Sequence, residues 1–293
     1  MPTSTMIDQL LARGTVVTDG AWGTELQLLG LPPGEIPDLW NLARPELVER
    51  VARSYVEAGS DVILTNTFRS NRIALADLAG QVSIEELNRS GVAISRKAAD
   101  GRARVFASIG PSGKMLLTGQ VDETTLSLAF REQARALAEA GADGLVVETM
   151  TDLTEARLAV DAALATGLPV VACMVFDSGK QRDRTMMGVS VAPAVAALAA
   201  AGAHAVGANC GIGVEQALLV CRAMRASTTL PIWIKPNAGL PELSGGKTIY
   251  RSDAAAFAAY VPDLVTAGAN FIGACCGSTP AFVAAIRAQV KSA

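Results

Sequence analysis

Short apolar runs alternate with longer segments of helical spacing along the whole chain. Eight runs read as strands: Thr15–Asp19, Asp61–Thr65, Val105–Ile109, Gly144–Glu148, Val170–Val175, Ala205–Ala208, Ile232–Lys235 and Asn270–Ala274. They are continuously apolar rather than alternating, as in strands of a parallel sheet buried on both faces. Between them, apolar residues recur at helical intervals. The clearest such segments are Pro45–Ala58, Leu126–Ala140, Leu153–Ala165 and Ala254–Ala267. Pro45 suits a first helical turn, and Asp152 or Thr154 suits an N-cap.

One pattern occurs four times: EAGSDVILTNT from Glu57, EAGADGLVVET from Glu139, AAGAHAVGANC from Ala200 and TAGANFIGACC from Thr266. Each reads as a helix end, Ala-Gly, a strand, then polar residues or Cys. The glycine closes the helix in a left-handed cap. These are the second, fourth, sixth and eighth strands. The fifth and seventh are introduced differently, by Leu168-Pro169 and Leu230-Pro231. An odd/even alternation is what a closed eight-stranded barrel produces, because its interior layers draw on alternate strands. The expected fold is therefore a single-domain (β/α)8 TIM barrel over residues 1–293; an open doubly wound sheet is the alternative.

Composition narrows the function. The 293 residues carry 25 basic and 28 acidic side chains, a net charge of −3. That lacks the basic excess of a nucleic-acid binder. One His excludes metal sites built from several. Five Cys are too few for a disulfide scaffold and point to reduced thiols, a metal or catalysis. The N-terminus has no basic n-region or long apolar run, so no secretory signal is expected. Val189–Ala208 has no charge and is long enough to span a bilayer. It is mostly Ala and Gly, however, and contains Pro193, Gly202 and His204. It is expected to fold as a helix over about 193–201, a turn at Gly202 and a buried strand, with no membrane contact. A reducing cytoplasm is the expected compartment. Gly245-Gly246-Lys247 lacks the spacing of a phosphate loop and is expected to be a surface loop.

In such a barrel, chemistry sits at the C-terminal ends of the strands. Those ends carry Asp19–Thr24, Thr65–Phe68, Gly110–Gly113, Glu148-Thr149, Asp177, Asn209–Gly211, Pro236–Gly239 and Cys275–Thr279. Three cysteines, Cys210, Cys275 and Cys276, thus converge at the barrel mouth. Three thiolates there make a zinc site with an open fourth position. Small buried residues are the other reading of the same three. Adjacent residues on a strand point to opposite faces, so Cys275 and Cys276 can share one ion only if the strand ends there. Cys173, in mid-strand, and Cys221, in a helical segment, read as packing, and His204 as structural.

TDGAWGTEL at Thr18–Leu26, TNTF at Thr65–Phe68, GANCG at Gly207–Gly211, PNAGLP at Pro236–Pro241 and GACCGSTP at Gly273–Pro280 resemble the homocysteine S-methyltransferase family. The similarity runs from Thr18 to Pro280, with motifs like those of the homocysteine-binding barrel of cobalamin-dependent methionine synthases. The resemblance implies Zn2+ on Cys210, Cys275 and Cys276, with Asn237 in the fourth position until a substrate thiol displaces it. It places the amino-acid end of homocysteine near Asp19–Thr24 and Glu148. On this reading Glu148 pairs with the substrate ammonium and Asp19 positions the amino end or the loop. Backbone N–H groups of Ala21, Trp22, Gly23 and Thr24 hold the carboxylate, with Gly20 and Gly23 permitting close approach. Trp22 stands where a smaller or aliphatic residue is expected, and Asn66 orders the loop network or touches substrate.

The implied activity is methylation of homocysteine to methionine. The chain ends soon after the eighth strand, so no folate, cobalamin or reactivation domains are expected. The methyl group would come from a separate corrinoid or folate-binding protein. The other source is a small donor: S-methylmethionine, S-adenosylmethionine or a betaine. Two alternatives stay open: an acceptor such as coenzyme M or a selenol, and a non-catalytic module that binds zinc or homocysteine.

Overall fold

The structure, a computed structural model, describes residues 4–244 and 247–292. Gly245 and Gly246 of the Gly-Gly-Lys segment lie outside the described residues, and Lys247 begins the short strand Lys247–Ile249. Eight parallel strands form: Val16–Val17, Val62–Ile63, Arg104–Ile109, Gly144–Met150, Val170–Met174, Ala205–Cys210, Ile232–Pro236 and Phe271–Ile272. From the second to the eighth, each pairs with its neighbour in sequence, and the eighth pairs with the first. A parallel bridge from Thr18 to Val62 closes the circle. The fold is the (β/α)8 barrel, not the open sheet.

All eight expected strands are present, but the first, second and eighth are only two residues long. Side chains take over where their ladders stop. Asp61 accepts the Val17 N–H at 2.8 Å, and Asp19 accepts the Leu64 N–H at 2.7 Å. The four Ala-Gly repeats behave as expected: Gly59, Gly141, Gly202 and Gly268 have φ of 102°, 91°, 98° and 95°. A left-handed residue there stops each helix and turns the chain into its strand. Asp152 caps its helix through the N–H groups of Thr154 and Glu155.

Two helices differ from expectation. Ala254–Ala267 is two helices, Ala254–Ala258 and Val261–Thr266. Pro262 has no N–H to give the preceding turn, so one continuous helix cannot form. The helix after the third strand starts at Glu123 rather than Leu126, because Asp122 caps it by accepting the Thr125 N–H. Val189–Ala208 resolves into a helix, Val191–Ala200, a turn and the sixth strand. Among the described residues no helix is long and apolar enough to cross a membrane.

The barrel interior is filled by Val16, Val62, Phe106, Val146, Val171, Ala205, Trp233 and Phe271, with Ile7 of the N-terminal helix Thr5–Leu11 closing one end. Trp233 stacks on Phe271 at 5.0 Å and on Phe106 at 6.4 Å. Space for these rings comes from missing side chains. A Cβ at Gly207 would stand 2.3 Å from the Trp233 carbonyl and 2.7 Å from Cys173 Sγ. Gly207→Ala is therefore expected to lower the thermal midpoint, with overpacking costing about 1–3 kcal/mol. An unchanged midpoint would show that the two strands separate freely.

Candidate functional site

The loops after the sixth, seventh and eighth strands are tied together by their backbones. Asn237 N–H donates to the Cys210 carbonyl, Ala238 N–H to Cys276 and Cys275 N–H to Pro236. Cys210 itself ends the sixth strand with φ +59°, outside the ladder geometry. The eighth strand stops at Ile272, before Cys275. This removes the alternation that would set Cys275 and Cys276 on opposite faces. The sulfurs of Cys210, Cys275 and Cys276 all lie within 4.8 Å of one another, with Cys210 and Cys275 at 3.1 Å. Three sulfurs about 2.3 Å from a tetrahedral zinc stand about 3.8 Å apart, so this spacing suits a metal. A second feature agrees: Asn237 Nδ2 donates to the Gly211 carbonyl at 2.7 Å, while its buried Oδ1 has no partner among the described residues.

The thiols share protons. Hydrogen bonds from Cys210 and Cys275 hold the Cys276 thiol far below its ordinary range. Cys210 is pushed well above that range by its hydrogen bonds to Cys275 and Cys276 and by burial. For Cys275 the Cys210 bond pulls downward, but the Cys276 bond, burial and the Cys276 charge push the thiol up to about 12. Without a cation, the cluster thus favours one thiolate and resists more. A divalent ion is what would allow three. Cys173 and Cys221 are buried elsewhere, and all five cysteines are free.

Glu148, near the end of the fourth strand, faces the same space. It is 7% exposed. Ser108 Oγ donates to its Oε1 at 2.5 Å and Asn209 Nδ2 to its Oε2 at 3.1 Å. Asn209 also donates to Thr149 Oγ1 and accepts the Thr149 N–H, pinning the fourth strand to the sixth. Burial raises the Glu148 carboxyl to about 7, against the pull of the Lys235 charge.

The first-strand motif supplies the opposite wall. Ala21, Trp22 and Gly23 line a cavity of about 230 Å³ with Asn66, Phe68, Glu148, Cys210, Cys275 and Cys276. Asp19, Thr24 and Asn237 are not among its lining residues. Asp19 is fully buried behind the wall and accepts from Lys235, Trp22 and Leu64. Its carboxylate thus meets the Trp22 indole, the Lys235 ammonium and the Leu64 amide. Ala21 N–H is already donated to Ser278 Oγ, leaving Trp22 to Thr24 as the open amides. Thr24 Oγ1 accepts from the Gly277 N–H instead. Gly20 is needed for close packing, since a Cβ there would stand 2.7 Å from the Tyr55 ring. At Gly23 the nearest protein neighbour of a Cβ would be 4.0 Å away. Asn66 holds Pro37 and Asn41, the loop network.

Several site residues were missed from the sequence: Lys235, Ser108, Asp38 and Tyr250; Asn209 stood at a strand end without an assigned role. Lys235 was visible as the only charge in an apolar strand. Asp38, 1% exposed and raised to about 6 by burial, lines the cavity from the short 3-10 helix Pro37–Leu39, which carries no motif. Tyr250 lies so close to Gly277 that a Cβ there would meet its ring at 2.1 Å.

A model of the family described as homocysteine S-methyltransferase matches residues 16–290. The chain belongs to that family. Over 305 aligned residues it is 30% identical to the methionine synthase of Mycobacterium tuberculosis, covering 97% of this chain and 25% of that protein. The methionine synthase of Mycobacterium leprae is 29% identical, again over 25% of its length. The chain thus spans about a quarter of the length of these curated relatives. Within the family, the metallated form of the homocysteine methyltransferase MmuM from Escherichia coli has the same fold. Its TM-score is 0.80 at 26% identity, covering 97% of this chain and 99% of that one. The oxidized form of MmuM gives 0.79 at 25% identity.

Proposed function

We propose that this protein methylates the thiol of homocysteine to give methionine, with Zn2+ on Cys210, Cys275 and Cys276. The observation that carries the reading is the three-sulfur cluster, closed to within 4.8 Å, in the same cavity as Glu148. Asn237 Oδ1, buried and unpartnered, is the candidate for the fourth position. A free alkyl thiol with a pKa of about 8.5 is mostly protonated at neutral pH. Bound zinc would supply the deprotonation, and three thiolate ligands keep the site a weak enough Lewis acid to leave the substrate sulfur nucleophilic.

The chain's own residues then do the rest. Glu148, ionised, pairs with the substrate ammonium while Ser108 and Asn209 hold its orientation. The amides of Trp22 and Gly23, on the cavity wall, receive the carboxylate. Trp22 and Phe68 wall the cavity and exclude water. The substrate thiol loses its proton to solvent, its sulfur attacks the donor methyl carbon in line, and the donor–methyl bond breaks. The donor is a methyl-corrinoid or folate protein, or a small molecule such as S-methylmethionine, S-adenosylmethionine or a betaine.

The test is a donor panel with zinc-loaded protein and homocysteine, reading methionine by mass spectrometry, with coenzyme M as a competing acceptor. Methionine is expected from at least one donor. Methylation of coenzyme M but not homocysteine would move the protein to a different acceptor. Homocysteine binding with no turnover from any donor would make it a binding module.

A further inference from the structure

Three donors converge on the two carboxylate oxygens of Asp19. Lys235 Nζ donates to Oδ1, while Trp22 Nε1 at 2.8 Å and the Leu64 N–H at 2.7 Å donate to Oδ2. Lys235 is 2% exposed and Asp19 fully buried, so this ion pair is held out of water. Burial alone would strip a lysine of its proton, but the charges of Asp19, Glu148 and Cys275 keep the ammonium. The barrel makes room for the lysine stem. A Cβ at Gly273 would stand 3.2 Å from Lys235 Cγ and 2.0 Å from Thr18 Oγ1.

The pair meets the cavity through Trp22. An indole has a single donor, and here that donor is spent on an ionised acceptor, the stronger kind of hydrogen bond. The ring is thereby fixed against the cavity beside Ala21 and Phe68. Asp19 lies behind the wall rather than on it, which leaves Glu148 and Asp38 as the carboxylates that line the space.

We propose that Trp22 is the specificity-determining wall of this cavity, and that Asp19 and Lys235 are positioning residues that lock its indole, restricting the site to amino-acid thiols no longer than homocysteine. The inference rests on the homocysteine reading above. Lys235, which itself lines the cavity, acts on the ring through a relay: it holds Asp19, Asp19 holds the indole N–H, and the ring sets the depth of the pocket. Removing the lysine leaves a buried carboxylate without its cation, and the indole loses a fixed anchor. An apolar pocket wall distinguishes one methylene by roughly 10–200-fold.

The test compares homocysteine with its homologue one methylene longer, 2-amino-5-sulfanylpentanoate, by calorimetric titration of zinc-loaded protein. The wild type is expected to prefer homocysteine by at least about tenfold. Trp22→Met and Lys235→Met are each expected to compress that preference to within about threefold of parity, a loss of most of the one-methylene discrimination. Glu148→Gln is expected to weaken both ligands alike and keep the ratio, as any merely structural lesion would. Should Lys235→Met fail to fold, Trp22→Met decides alone, because its side chain is only partly buried. A wild-type ratio in Trp22→Met would overturn the proposal, and a wild-type ratio in folded Lys235→Met would remove the lysine from it. Wild-type protein that binds neither thiol would instead overturn the homocysteine reading, a distinct outcome.

Discussion

Cys210→Ala is expected to lose its metal and, with it, homocysteine binding. The cluster has three sulfurs, and two cannot supply the charge or the geometry of the complete set. Even partners outside the ligand shell cost roughly 10–100-fold in metal affinity when removed, so loss of a ligand should exceed about 100-fold. Zinc content after dialysis should fall from one per chain to near zero, and methyl transfer should fall with it. Cys275→Ala and Cys276→Ala should behave alike, because the sulfurs lie within 4.8 Å of one another and act together. Cys173→Ala is the control: its sulfur is buried in the barrel interior and should leave zinc content unchanged. Full zinc and full activity in Cys210→Ala would end the metal assignment.

Glu148→Gln is expected to separate stability from function through pH. Burial raises this carboxyl from 4.5 to about 7, the folded protein therefore holding a proton that the unfolded chain has released between those values. Where the folded state binds more protons, stability falls as pH rises. The wild type should thus lose stability between about pH 4.5 and 7, by a few kcal/mol, since each tenfold change in proton affinity is worth ~1.4 kcal/mol. Glutamine has no such proton to lose. The difference in thermal midpoint between variant and wild type should move in the variant's favour from pH 5 to pH 8. Homocysteine binding should move the opposite way. In the proposed function the ionised carboxylate pairs with the substrate ammonium, so wild-type affinity should strengthen as pH rises toward 7. The variant should bind weakly throughout. A midpoint difference that stays constant from pH 5 to pH 8 would mean that Glu148 does not titrate in this window.

Much of the fold was legible in the chain alone. Eight continuous apolar runs marked eight buried strands, and four Ala-Gly signatures marked the helix stops, all four with positive φ. The boundaries were less legible. Asp19 and Asp61 shorten their strands by offering side-chain acceptors to the neighbouring backbone, contacts between residues 45 and 44 apart in the chain. Pro262 was a local signal that was readable and overridden by the periodicity around it.

The site divides in the same way. Cys210, Cys275, Cys276 and Glu148 were legible because each sits at a predicted strand end, where a barrel gathers its chemistry. Residue type and strand position marked them as candidates, and the family resemblance implied their roles. Lys235 and Ser108 were not legible, and Asn209 was located at a strand end without a role, because their roles are defined by what they face across the barrel. Asp19 shows the limit most plainly. Its position in the motif pointed to substrate, and its partners turn it toward Trp22 and Lys235.

The sequence by itself determined the barrel, the strand ends that carry chemistry and the residue types that could take a metal. Those follow from periodicity and local turn chemistry, which act over a few residues. Only the tertiary structure decided which side chains meet, which carboxylate lines the cavity and which is buried behind it. Those depend on burial and on hydrogen bonds between distant strands, whose strength is set by the low dielectric of a closed interior.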